Sequence, residues 1–525
     1  MSVATQNGSA APVRVCPRPA LVGAAVLLGS FLVGFDTRLL AISLPDLRGA
    51  FGLSYDQGAW LSTVATAPQI LIAPAVAWLA ATFGVRRVLF GPSLVYAAVS
   101  FAIPQVADWR LLLVLHGLRG LLLGVFIPAT IMIVFRNLPL RWWVPAFAIY
   151  AFRLAFSQSA GIAIVGFYET RLGWQWVYWQ DIVLAPAIGV LVSLGAPRET
   201  TDRGLLERAD WGGMALLGTG SAAIYVALDQ GDRLDWAQSG LVITLLAAGA
   251  ALLAGFFLNE ARVRHPWASH RVVATRNILL AFVLILCFDV ASVSGSFLVP
   301  GFLAAVAQLR PEQIGGPVFA GAALPLVVLM PLAVVAVRRF DARLSMLAGF
   351  AAFAVAGRMG AQVTHEWTAA DFLPVMLVQS VGQAFTFLAA VIYILANSDP
   401  KMATATAAYV QVLRLGGAET TLSLMTTFLR HREQLHSYLI GLHVSAASPA
   451  AGAAIGALSA RFAGADPSSA LAGARGVAGL AALVAREARV MAYSDAFLAS
   501  FWGALAGLVI LALMGPAPAG PLAPR

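Results

Sequence analysis

Eight ionisable residues stand inside otherwise apolar runs of this chain: Asp36 and Arg38, His116 and Arg119, Arg153, Asp289, Arg414 and Glu419. A charge near a bilayer centre costs about 2.5 to 3.5 kcal/mol on insertion scales, so such groups face a bundle interior or a watery cavity. Carboxyls so placed can exchange protons, and guanidiniums can contact anions. Asp36 and Arg38 are two residues apart, point to different sides of a helix and are poorly placed to neutralise each other. His116 and Arg119 are three apart and share a face, and GLRGLLLG, with Gly120 and Gly124, lets a second helix come close. Arg153 has Tyr150, Ser157 and Gln158 within two turns. Asp289 precedes ASVSGS, while Arg414 and Glu419 flank LGGA.

Bond-making chemistry has no comparable signature. The chain lacks HExxH, GxSxG, a Walker phosphate loop and any Cys/His cluster with ligand spacing, so neither an enzyme nor a metal or other cofactor is expected. Without a Walker motif, any pumping must draw on an ion gradient or on another subunit. Cys16 lies in the N-terminal tail and Cys287 inside an apolar run, so no disulfide is indicated. The net charge of +9 does not point to nucleic acid, because the basic residues punctuate the gaps between apolar runs instead of clustering on a solvated face.

The elements that hold these residues are membrane spans. The chain has 525 residues, of which 60% are hydrophobic and 11% charged, where a soluble protein would be about a quarter charged. Apolar runs of bilayer-crossing length recur from end to end, and about fourteen are counted, the thirteenth at 403–427 and the last at 496–514. Arg86, Arg87, Arg136, Arg141, Arg198, Arg203, Arg338, Arg339, Arg343 and Lys401 fall in alternate connections, with Arg14 and Arg18 in the tail, so both termini are expected on the cytoplasmic side. The Ala- and Gly-rich segment 430–493 reads as an extracytoplasmic loop with Pro449 and Pro467 as breakers. Its amphipathic stretch LAALVAREARVMAYSDAF suggests a helical cap over the outer mouth ahead of a partner-binding element.

The chain resembles the fourteen-span EmrB/QacA branch of the major facilitator superfamily, a group of drug:proton antiporters. The likeness lies in GFDTRLLAISLP, with Asp36, Leu44 and Pro45 in register, and in QGAWLSTVATAPQILIAPAVAWLA, with Trp60, Thr63, Pro74, Trp78 and Leu79. VALDQGDRLDW, PWASHRVVATRNILLAF and PGFLAAVAQLRPEQIGGPVFAGAALP extend it along the chain. There are departures. The gating loop keeps Gly84, Arg86 and Arg87 but has Ala81 at the family's acid position. The family's fourth-span Arg falls at His116, with Arg119 where Gln is usual. The antiporter signature keeps Gly161 and Gly166 for helix packing, with Ile162 in place of proline, and the thirteenth-span Arg is displaced by one to Arg414.

The resemblance implies an all-α fold of two six-helix bundles, 20–195 and 277–514, with two inserted helices in 196–276 between them and tails at 1–19 and 515–525. It places a substrate site near the midplane between the bundles. Asp36 is then the first choice for proton coupling, with His116, Asp289 and Glu419 in reserve. Four arginines against three acids, plus His116, favour a small amphipathic substrate that is weakly acidic or zwitterionic. Arg38 and Arg153 would contact its anion, Trp60 and Tyr150 would stack on it, and Gln69, Arg119, Gln158 and Arg414 would complete the site. The expectation is proton-coupled export across the inner membrane, joined by a periplasmic adaptor and an outer-membrane channel where the host has two membranes. Export of one metabolite such as a siderophore or fatty acid, anion uptake, and a non-transporting membrane protein on this fold remain as alternatives.

Overall fold

The computed structural model describes residues 18–264, 266–269, 271–398, 403–445, 448–462 and 470–517, and these are all helix or connecting turn. The fourteen long helices begin with α1 (Pro19–Ala50), α2 (Tyr55–Phe83), α3 (Val85–Ala102), α4 (Trp109–Asn137), α5 (Trp143–Phe167) and α6 (Trp176–Gly195). Next come α7 (Trp211–Gly231) and α8 (Gly240–Arg262). The last six are α9 (Arg276–Ala305), α10 (Pro311–Arg339), α11 (Ala342–Gly360), α12 (Leu373–Asn397), α13 (403–441) and α14 (Ala470–Ala512). Among the described residues, twelve of these are long and apolar enough to cross a bilayer. The other two, α11 and the Thr- and Arg-bearing α13, lie among them, and the expected count of fourteen fits.

Local sequence sets the helix ends. Ser54 and Gln57 form a capping box that starts α2, and Asp108 accepts from the Leu111 N–H at 2.8 Å to start α4. Gly84 divides α2 from α3 with a φ of +84°, a conformation that side-chain-bearing residues rarely adopt. Wide π turns interrupt α9 at Ser294–Leu298, α10 at Phe319–Ala323 and α13 at Leu413–Gly417. Such turns are frequent at functional sites, and two of these bear on the cavity described below.

The helix ends fall on two faces. On the terminal face the Asp202 N–H donates to Thr82 O at 2.9 Å, Gly195 meets Val22, and Arg343 donates to Met514 O at 3.1 Å. On the opposite face Arg233 pairs with Asp56 at 2.6 Å and Arg430 with Asp232 at 2.8 Å, tying α2, α7 and α13 together. Apolar side chains from both the first and the last six helices form one continuous core on the terminal side. Toward the opposite face that core divides into two, one among α1–α6 and one mainly among α9–α14.

The described residues of the segment 430–493 are mostly helix. α13 runs on to Gly441, a short helix follows at Pro449–Phe462, and α14 has 43 residues, twenty-six of them ahead of the expected span at 496. At 1.5 Å per residue α14 is about 65 Å long, roughly twice the hydrocarbon thickness. Its amphipathic stretch packs against α13 and does not lie across the mouth: Arg489 reaches Glu433 at 2.8 Å, and Asp495 takes both Arg432 and His436 at 2.6 Å. Charges that break an apolar run in sequence here lie on the face that meets a neighbouring helix. Arg14, Cys16 and Lys401 lie outside the described residues.

Candidate functional site: a charged central cavity

A cavity of about 250 Å³ opens above the continuous core, lined by α1, α2, α4, α5, α7, α9 and α13, with Phe387 of α12. Nine of the twelve coupling and substrate candidates line it: Asp36, Arg38, Gln69, Arg119, Arg153, Gln158, Asp289, Arg414 and Glu419. Trp60, Tyr150 and His116 do not. Trp60 sits toward the opposite face, with Arg233 5.8 Å from its ring centroid. Tyr150 is buried behind Arg153 and Arg414, 4.8 and 5.8 Å from their guanidiniums. His116 is fully buried between helices, its Nδ1 2.8 Å from Leu112 O and its Nε2 3.0 Å from Tyr178 Oη.

Close helix contacts hold the cavity walls. A Cβ at Gly120 would meet the Ala65 carbonyl, and one at Gly124 would stand 2.8 Å from Gln69 O, so α4 lies directly on the backbone of α2. This places Gln69 and Arg119 on one wall. Gly34 leaves room for Arg153 and Ser157, and Gly161 for the stem of Arg38. Gly166 meets the backbone of Pro311 and Glu312, bringing α5 against α10 at the opposite face. The loop residues Gly84, Arg86 and Arg87 lie on the terminal face, away from the cavity. Glu199 packs over Gly84, and Arg87 donates to Thr201 at 2.8 Å.

The charges fall into three groups. In the first, Arg119 Nη2 donates to Asp36 and, at 2.6 Å, to Asp181 Oδ2. Sequence reasoning missed Asp181. It follows the aromatics of WVYWQD, a pattern that reads as an interfacial anchor. In the second, Arg38 donates from Nη2 to Ser296 O at 2.6 Å and from Nε to Gln158 O at 3.3 Å. In the third, Arg153 and Arg414 converge on Tyr150 with Arg153 Nε, Arg153 Nη2 and Arg414 Nη2 unpartnered among the described residues. Glu419 also lines the cavity, as does Asp289, whose Oδ2 has no partner among the described residues. Asp229, also missed, joins the lining and accepts from Thr63.

No candidate metal cluster occurs among the described residues. What the cavity offers is several guanidinium donors, a few carboxyls and apolar walls, a set suited to holding and releasing a small polar-ended solute. The sequence comparison shows the family: the model of the Major Facilitator Superfamily matches residues 26–420. The chain belongs to that superfamily and is a multi-pass membrane transporter in fold. It is 22% identical to the multidrug export protein EmrB of Escherichia coli (strain K12) over 427 residues, 78% of this chain and 80% of EmrB. It is also 22% identical to the fatty acid resistance protein FarB of Neisseria gonorrhoeae over 445 residues, 81% of this chain and 85% of FarB. Among solved structures, the peptide transporter POT superposes with a TM-score of 0.56 at 15% identity, covering 95% of each chain, which bears on the fold alone.

Proposed function

We propose that this chain is a proton-coupled exporter of small amphipathic compounds carrying an acidic or zwitterionic end. The observation that carries the substrate class is the convergence of Arg153 and Arg414 on Tyr150 beside the cavity, with three guanidinium nitrogens left unpartnered. Buried donors without partners are costly, and a substrate carboxylate or sulfonate would satisfy them. The apolar remainder of the substrate would rest against Leu123, Phe288 and Phe387. The names of the relatives, a multidrug export protein and a fatty acid resistance protein, support export and an anionic amphiphile respectively.

Coupling is assigned to Asp36, the carboxyl that faces the cavity and meets Arg119. The same reading divides the chain into two six-helix bundles with α7 and α8 inserted, and sets the Arg-rich terminal face in the cytoplasm of an inner membrane. A periplasmic adaptor, where one exists, would meet the projecting end of the α13–α14 hairpin.

The test is flux into proteoliposomes under an imposed pH gradient, with 2-naphthalenesulfonate as the anion and ethidium as the cation. The sulfonate stays ionised, so any linked proton is the protein's own. Gradient-driven accumulation of the sulfonate in preference to ethidium is expected. Transport of ethidium alone would overturn the substrate class, and sulfonate flux indifferent to the gradient would overturn the coupling.

A further inference from the structure

Around Arg119 the charges do not balance. The guanidinium, on α4, contacts two carboxyls, Asp36 of α1 and Asp181 of α6, neither of which has another cation against it among the described residues, and all three side chains are 3% exposed or less. Ser100 of α3 bridges the group: its Oγ accepts from Arg119 Nε at 3.0 Å and donates to Asp181 Oδ2 at 3.3 Å. The rings of Tyr96 and Tyr178 lie against the guanidinium, each centroid 5.1 Å from Arg119 Cζ. His116 is turned away, both of its nitrogens engaged by Leu112 O and Tyr178 Oη. The other Asp181 oxygen, Oδ1, is buried without a partner among the described residues. Asp36 and Arg119 line the cavity, and Asp181 stands behind them.

We infer that Asp181 is the standing counter-ion of Arg119, and that this triad holds one proton which Asp36 alone exchanges with the cavity. Two ionised carboxylates on one guanidinium would leave a net buried negative charge, which a low-dielectric site disfavours. One proton makes the group neutral. If Arg119 had only Asp36, protonating Asp36 would strand a buried guanidinium, and the carboxyl would be held ionised. With Asp181 behind it, Arg119 keeps a partner whether Asp36 is protonated or not, and Asp36 is released to carry the proton. Asp181 thus acts through Arg119 as a positioning residue, with no substrate contact of its own. This inference rests on the proton-coupled reading above and names the second carboxyl that reading requires.

The test is infrared spectroscopy of the full-length protein in lipid at neutral pH, reading the protonated-carboxyl band without any added ligand. In difference spectra between wild type and each variant, an acid band separate from any given by Asp289 or Glu419 is expected to disappear in Asp36→Asn and equally in Asp181→Asn, because either substitution leaves one carboxylate on one guanidinium. Asp181→Glu is expected to restore it, and Asp289→Asn and Glu419→Gln to leave it in place. Persistence of the band in Asp181→Asn overturns the inference. Ser100→Ala keeps the charges and serves where Asp181→Asn does not fold: the band is expected to stay but move in frequency, and an unmoved band counts against the triad. Gradient-driven sulfonate flux is measured separately, so a wild type that shows the band but no coupling would refute the coupling reading and leave the proton-holding triad standing.

Discussion

Arg38 of α1 donates from Nη2 to the backbone carbonyl of Ser296 in α9 at 2.6 Å, tying the first helix to the π turn of the ninth. Its Nε reaches Gln158 O of α5 at 3.3 Å, so one guanidinium joins three helices around the cavity. Arg38 was expected to meet substrate; its Nε and Nη2 are engaged in a strut, while the residue also lines the cavity. The apolar core is divided on this side, and a polar tie bridges the gap where packing does not.

Cutting that strut should open the opposite face. A hydrogen bond from a charged donor contributes about 1.5–3 kcal/mol, so Arg38→Ala should favour the open arrangement about tenfold or more. The measurement is the labelling rate of a cysteine placed at Gln158, with Cys16 and Cys287 replaced by serine, using an impermeant maleimide. Faster labelling in Arg38→Ala, with Arg38→Lys in between, is the expected order, and equal rates would remove the strut.

His116 was an expected proton carrier on the strength of its shared face with Arg119. The structure parts the two: Arg119 lines the cavity, and His116 spends both nitrogens inside the bundle. His116→Asn should therefore keep gradient-driven flux within about twofold. It should lower the thermal midpoint in detergent, because losing a buried hydrogen bond costs about 1–3 kcal/mol. Loss of coupling with an unchanged midpoint would restore the original assignment.

Much of this arrangement was legible in sequence, and the rest was hidden for a physical reason. Apolar length and the positions of arginines gave the helices, and intramembrane charge gave seven residues of the cavity. Asp181 was lost because its partner Arg119 sits on another helix, and no local pattern records a contact 62 residues distant. The early start of α14 was lost for a related cause. Arg486, Glu487 and Arg489 break the apolar run, but ion pairs with neighbouring helices, such as Arg489 with Glu433, let the helix continue through them.

Gly120 is where two backbones touch, so it should tolerate no side chain. A Cβ there meets the Ala65 carbonyl, and forcing α2 and α4 apart would cost about 1–3 kcal/mol or more. Gly120→Ala should lower the thermal midpoint by several degrees. Gly23→Ala, whose Cβ would meet nothing within 4 Å, is the control and should leave it unchanged or raise it.

Asp341 gives the terminal face a pH dependence. It caps α11 outside the membrane-spanning segment, and although partial burial pushes its carboxyl up, the side chain and backbone N–H of Arg343 outweigh this and hold it below the usual aspartate value of 3.8. A carboxyl lowered on folding contributes stability that is complete above its unfolded value and disappears as pH falls through its folded one. Wild type should therefore lose more thermal stability between pH 5 and 2 than Asp341→Asn does (an interval of about three units set by the unfolded aspartate value). Parallel acid profiles would mean that the cap carries no linkage.

The substrate assignment turns on Arg153 and Arg414, and their shared ring makes it separable from a general loss of charge. The guanidiniums approach Tyr150 at 4.8 and 5.8 Å, so one ring holds the two cations together. If both grip one anionic end, Arg153→Ala and Arg414→Ala should each raise the KM for 2-naphthalenesulfonate by about tenfold to a hundredfold, the worth of a charge-assisted hydrogen bond. The double variant should fall short of the product of the two, because the second substitution removes a contact the first has already weakened. Tyr150→Leu should show the same loss in milder form, because it removes the ring both guanidiniums rest on and leaves both charges. Independent, fully multiplicative effects would place the two arginines at separate sites, and KM values unchanged in both single variants would return the anion to Arg119 or Arg38.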